Sequence, residues 1–138
     1  MRKVFNSIIA TLGTCVAYLT GEWDRIIQVL VLFLIIDYIT GMSKAFMNDK
    51  VNSSVGAKGI LKKGLIFLVV VMAHQMDKAN NLTEPFFRTT TIYFYIANEG
   101  ISIFENLSAM GVPFPSFIKD RFEKVKDKSG KGGKIDGE

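Results

Sequence analysis

The residues of this sequence able to do chemistry lie inside long apolar runs. Asp37 sits near the middle of Ile26–Phe46, where Val29–Ile36 is unbroken by any polar side chain. An acid at mid-bilayer depth costs about 2.5–3.5 kcal/mol on insertion scales, so it faces a bundle interior or water. Gly41 and Ala45 follow at four-residue steps and share its helix face, where small residues allow close packing. Two readings stand for that face. It lines an aqueous path or a subunit contact, or Asp37 is neutral or locally paired and caps a break near Gly41.

A second set runs along Phe86–Leu107. Arg88, Thr91, Tyr95, Asn98, Ser102 and Glu105 are separated by three, four, three, four and three residues, which makes one helical stripe. Glu99 lies beside it, eleven residues after Arg88 and so nearly three turns on. Ile92, Phe94, Ile96 and Ile101 occupy much of the remaining surface. A helix polar along its full length can lie on a membrane surface, or span with that side toward a water-filled lumen or another subunit. The alternative is a polar seam inside one bundle, with Arg88 at the interface. His74 and Asp77, three residues apart, are placed to share a hydrogen bond on one face, at a helix end where polar groups are cheap.

Other chemistry is missing. Cys15 is the single cysteine and His74 the single histidine, so neither an intrachain disulfide nor a cysteine zinc site can form. There is no Walker-type phosphate loop, no HExxH and no GxSxG. Gly56-Ala57-Lys58-Gly59 would hold an anion only weakly in a turn. No catalytic residue, metal or cofactor is expected, and the chain does not read as an enzyme.

The elements that must position these residues are membrane helices. A span needs about 20 mainly apolar residues, and four segments qualify as candidates, at about 4–20, 26–46, 60–76 and 86–107. The first is diluted by Asn6, Ser7, Thr11, Gly13 and Thr14, and the third begins with Lys62 and Lys63, which can snorkel. Met1-Arg2-Lys3 ahead of an apolar run is also how secretory signals begin, and Leu12–Cys15 faintly resembles a lipoprotein cleavage box. Three more hydrophobic segments follow, which favours an uncleaved first helix. Its Ala10, Gly13 and Ala17 form a small-residue face for close helix packing. The fold class is therefore all-α, an integral membrane bundle of three to four transmembrane helices, oligomeric, over residues 1–118. Residues 119–138 form a charged tail, partly disordered, with Lys119, Arg121, Lys124, Lys126 and Lys128 available to anionic headgroups; the bland alternative is a solvated topogenic tail.

Hydrophobic residues make up 49% of 138, yet 17 Lys/Arg and 13 Asp/Glu are present, segregated into connections and tail. A net charge of +4 could signal nucleic acid, but cytoplasmic Lys and Arg also orient spanning helices. With four spans, fourteen of the Lys and Arg fall on one side and three on the other, which puts the tail in the cytoplasm. The expected partners are the bilayer and further copies of the chain, with no nucleic acid.

Asp37-Tyr38-Ile39-Thr40-Gly41 and Gly56–Lys63, then the run from Tyr93 to Asn106 and Met110–Pro115, resemble the toxin-secretion/phage-lysis holin family (bacteriophage holin family 4). The likeness covers about Trp23 to Phe122. It implies a phage-encoded protein of the bacterial cytoplasmic membrane that oligomerises and opens a timed lesion. Endolysin, or in some members a toxin, then leaves the cell without necessary direct contact with the holin. The family has no catalytic residues to transfer. A small selective channel or transporter, and a non-conducting membrane adaptor, remain as alternatives on the residues alone.

Overall fold

The computed structural model describes residues 1–131, which form five helices: α1 (Arg2–Thr20), α2 (Arg25–Met47), α3 (Ser53–Ala79), α4 (Phe86–Ala109) and α5 (Ser116–Lys131). The all-α bundle expected from the sequence is present. Two of its helices, α1 and α2, are long and apolar enough to cross a membrane. At 1.5 Å per residue, the 23 residues of α2 measure about 34 Å, slightly more than the roughly 30 Å of hydrocarbon. Helices α3 and α4 carry charge inside their lengths, so the expectation of three or four spans depends on how the bundle handles those charges.

The helix ends follow from local chemistry. Asp24 caps α2 by accepting from the Ile27 N–H, and Asn52 caps α3 by accepting from the Val55 N–H. Helices α2, α3 and α4 each end on a residue of positive φ: Asp49 at 52°, Asn81 at 52° and Gly111 at 79°. In each case the next N–H reaches back to a carbonyl five residues earlier (Lys50 to Ala45, Leu82 to Asp77, Val112 to Leu107), which satisfies groups the helix leaves open. Within the apolar helices, hydroxyls turn back onto their own backbone. Thr11, Thr14 and Thr20 donate to Ser7, Ala10 and Val16, so the threonines that dilute α1 expose no unmet donor.

Two differences from the sequence reading stand out. Helix α3 starts at Ser53, not near Ile60, and takes in Gly56-Ala57-Lys58-Gly59, so that segment is no turn. Both glycines face Tyr38 of α2, whose hydroxyl oxygen stands 3.3 Å from a Cβ built at Gly56 and whose ring stands 3.2 Å from one built at Gly59. The second difference is α5. The charged segment from Lys119 is helical and packs along α4, a much longer helix than the turn or two its composition suggested. The disorder expected of the second half of residues 119–138 meets helix as far as Lys131, and the rest of that expectation falls on residues 132–138, outside those described.

Helix α4 is the centre of the bundle, packed against α2, α3 and α5, while α1 packs along α3 and meets α4 at its last residue, Thr20, which Arg88 reaches. The core is Ile27, Leu30 and Leu34 of α2, Ile66 and Val70 of α3, and Ile92 and Ile96 of α4. Large apolar side chains on α1, α2 and α3 point outward, among them Ile8, Leu12, Leu32, Ile35, Leu65 and Leu68. Helix α5 presents mainly charges, with Phe117 and Val125 exposed among them, so the molecule has an apolar side and a largely charged side.

Candidate functional site

Helix α4 carries two polar faces, of which one is fully engaged inside the bundle. Glu99, 2% exposed, points toward α2 and α3. There Lys63 of α3 donates from Nζ to Glu99 Oε2 and to Asp37 Oδ2, both at 2.7 Å. One lysine therefore ties the midpoints of three helices. Asn106, about two turns beyond Glu99 on α4, extends the network: its amide donates to Asp37 Oδ1 at 3.2 Å and to Thr40 Oγ1 at 3.3 Å. Gly41 lies beside that contact, where a Cβ would stand 3.5 Å from the Asn106 amide nitrogen, an ordinary packing distance. With all three groups ionised, two carboxylates and one ammonium leave a net charge of −1. A cleft of about 180 Å³ beside Tyr38, Gly59 and Lys62 reaches Asp37 and Lys63 from the end where α3 begins.

The second cluster sits at the other end of α4. Arg88, 2% exposed, donates from Nε to the Thr20 carbonyl (2.6 Å), from Nη1 to Asp24 Oδ2 (2.8 Å), and from Nη2 to the Glu22 carbonyl (2.6 Å). It thereby staples the α1–α2 connection onto α4. Gly21, at φ 87°, lies under the guanidinium, where a Cβ would come within 2.7 Å of Nε. Burial pushes the Asp24 carboxyl up, but the Arg88 guanidinium and the Ile27 N–H together hold it below its usual range. Pro85 cannot cap α4 with a side chain, and Asp77 of α3 does so across the gap. Its two carboxylate oxygens accept from the Phe87 and Arg88 N–H groups, both at 2.8 Å. The hydrogen bond expected between His74 and Asp77 does not form, because those N–H groups occupy the carboxylate. His74 Nδ1 is buried without a partner among the described residues.

The remaining residues of the α4 stripe point elsewhere. Thr91, Asn98 and Ser102 are half-buried and Glu105 is exposed. Among the described residues, none of their side chains joins another helix by a hydrogen bond. Tyr95, on the same stripe, packs against the apolar core. Of the small residues singled out in α1, Ala10 and Gly13 are exposed and nothing lies within 4 Å of a Cβ at Gly13, while Ala17 is half-buried. Ala45 is half-buried on α2. On α5, Lys119, Arg121, Lys124 and Lys128 are exposed and Lys126 is half-buried. Sequence reasoning missed Lys63, Asn106, Asp24 and the role of Asp77. Two acids at helix midpoints should have demanded a cation from a third helix, and Lys63 is the one that α3 supplies.

Among the described residues no cluster of His, Cys, Asp and Glu could hold a metal. The sequence model of the bacteriophage holin family matches residues 14–127. An uncharacterised 14.9 kDa protein of Clostridium perfringens is 39% identical over 131 residues, covering 93% of this chain and 99% of the relative. The probable holin of Bacillus phage phi105 is 39% identical over 109 residues, 79% of each chain. The uncharacterised protein YqxH of Bacillus subtilis is 38% identical over 117 residues, covering 85% of this chain and 82% of the relative. No solved structure matches.

Proposed function

The chain belongs to the bacteriophage holin family, and from that premise we propose that it oligomerises in the bacterial cytoplasmic membrane and opens a timed lesion. Family membership makes it a non-enzymatic protein with a general role in membrane lysis. The finer reading adds that α1 to α4 cross the membrane, so that α4 ends and α5 begins on the cytoplasmic side. Endolysin, or a toxin, leaves through the lesion.

The observation that carries this reading is the unmatched polar stripe of α4. Lys63, Asp37 and Glu99 neutralise most of one another's charge inside the bundle, which makes α3 and α4 tolerable as spans. Thr91, Asn98, Ser102 and Glu105 receive no such help from the described residues. A helix in lipid leaves such groups unmet only at a cost, and a neighbouring subunit or a water-filled lumen relieves it. Each added subunit hides another stripe, so assembly is favoured collectively.

Inducible expression together with an endolysin and a cytoplasmic reporter enzyme tests the proposal. The expected result is an abrupt halt in growth with release of the reporter. Depolarisation without passage of protein would make the chain a selective channel or transporter. No change in potential or growth would make it an adaptor.

A further inference from the structure

Helix α5 is fastened to α4 at a depth where its charges have no place in lipid. The Phe122 ring lies over Gly100, with two of its carbons 2.9 Å from where a Cβ would stand. It also meets Phe33 of α2 at 5.8 Å and Phe104 of α4 at 5.6 Å between centroids. No side chain larger than hydrogen leaves room for that ring at position 100. Gly100 follows Glu99, which shares Lys63 with Asp37, and Asp37 is the thirteenth of the 23 residues of α2. Phe122 is therefore level with the middle of α2.

Eight of the fourteen side chains from Ser116 to Ser129 are charged. At 1.5 Å per residue, those from Lys119 to Lys128 fall within about 9 Å of Phe122 along the helix. At the same level the outward faces of α2 and α3 present Leu32, Ile35, Leu65 and Leu68. One side of the molecule thus suits hydrocarbon at mid-depth while the other requires water.

We propose that α5 stays folded against α4 in the assembled lesion and forms its water-facing wall, anchored by Phe122 over Gly100. This rests on the lesion reading above and adds the wall's identity. Stripe residues Thr91, Asn98, Ser102 and Glu105, which α5 does not engage by hydrogen bonds, are then left for contact between subunits. The exposed Lys119, Arg121, Lys124 and Lys128 face the lumen, and α1 to α3 face lipid.

The test locks α5 in place. In a Cys15→Ser parent, the pair Gly100→Cys and Phe122→Cys is within reach of a disulfide, because the Cβ position at Gly100 is 3.2 Å from Phe122 Cγ. The purified chain is oxidised to completion, reconstituted into vesicles of bacterial lipid, and assayed for release of an encapsulated enzyme. The oxidised form should release as much enzyme as the parent. An oxidised form that inserts but retains the enzyme, with release restored by reductant, would overturn the proposal and place α5 away from α4 in the lesion. Gly100→Leu supplies a second arm, keeping every charge but closing the notch. Release should fall about tenfold at equal incorporation, the shift that overpacking one buried side chain produces; parent-level release would again overturn it. A parent that itself releases nothing would count against the lesion reading, which separates the two failures.

Discussion

Replacing Lys63 with methionine keeps an unbranched side chain, one atom shorter, and removes the cation that Asp37 and Glu99 share. The network then passes from a net charge of −1 to −2 in the middle of the bundle, with Glu99 2% exposed. The bundle escapes only by taking up protons. At 1.36 kcal/mol per pH unit, a free carboxyl costs about 4 kcal/mol to protonate at pH 7, slightly more for Asp than for Glu. One shared proton sets a penalty of about 4 kcal/mol and two set about 8, against a typical total stability of about 5–15 kcal/mol. Unfolding of the detergent-solubilised chain, followed by loss of helical circular dichroism, measures the loss. Lowering the pH from 7 to 5 makes each proton about 2.7 kcal/mol cheaper, so the penalty should shrink accordingly. The triple change Asp37→Asn, Lys63→Met, Glu99→Gln removes all the charge and should recover most of the stability. A Lys63→Met chain within about 1 kcal/mol of the parent at pH 7 would refute the reasoning, because the triad would then not be desolvated.

Three further outcomes are expected. Arg88→Leu strands the Thr20 and Glu22 carbonyls and should cost about 2–3 kcal/mol by the same assay, less than a fully buried pair because Asp24 is a third exposed; Arg88→Lys should rescue little, since one ammonium cannot reproduce the guanidinium's fork. The Asp24 carboxyl is held below its usual range, so its stabilising contribution is complete above an unfolded value of about 3.9 and is lost as pH falls through the folded one. The stability difference between the parent and Asp24→Asn should therefore be present at pH 7 and vanish in strong acid. Glu99→Leu brings the triad to neutrality while leaving Lys63 with Asp37, and should delay or abolish lysis without loss of membrane insertion; unchanged timing in induced cultures would remove Glu99 from the opening step.

Much of the fold was legible because apolar runs and polar punctuation coincide. The ends of α2 and α4 fall within three residues of the expected positions, at Asp24 and Asn48, and at Pro85 and Met110. The start of α3 was hidden by Ser, Gly and Lys, residues that read as a loop until Tyr38 is seen to need Gly56 and Gly59 beneath it. Helix α5 was hidden by its charge and by the Gly-rich chain that follows. Ile118 and Phe122, four apart, were the available sign of a packed face. At the candidate site, Asp37, Arg88 and Glu99 announced themselves as charges within apolar segments. Their partners did not, because spacing along one helix carries no information about register between helices. Lys62 and Lys63 look alike in sequence, yet the bundle turns Lys62 to solvent and Lys63 into the triad.

The claim that this chain opens lesions wide enough for protein is tested most directly with the purified chain alone. Vesicles of bacterial lipid are loaded with both a small dye and a folded enzyme, and the ratio of protein to lipid is raised stepwise. The account predicts a threshold ratio above which dye and enzyme escape together, as subunits collect into assemblies that bury the α4 stripe. Dye escaping at every ratio while the enzyme stays inside would contradict it, and would leave a narrow channel in place of a lesion.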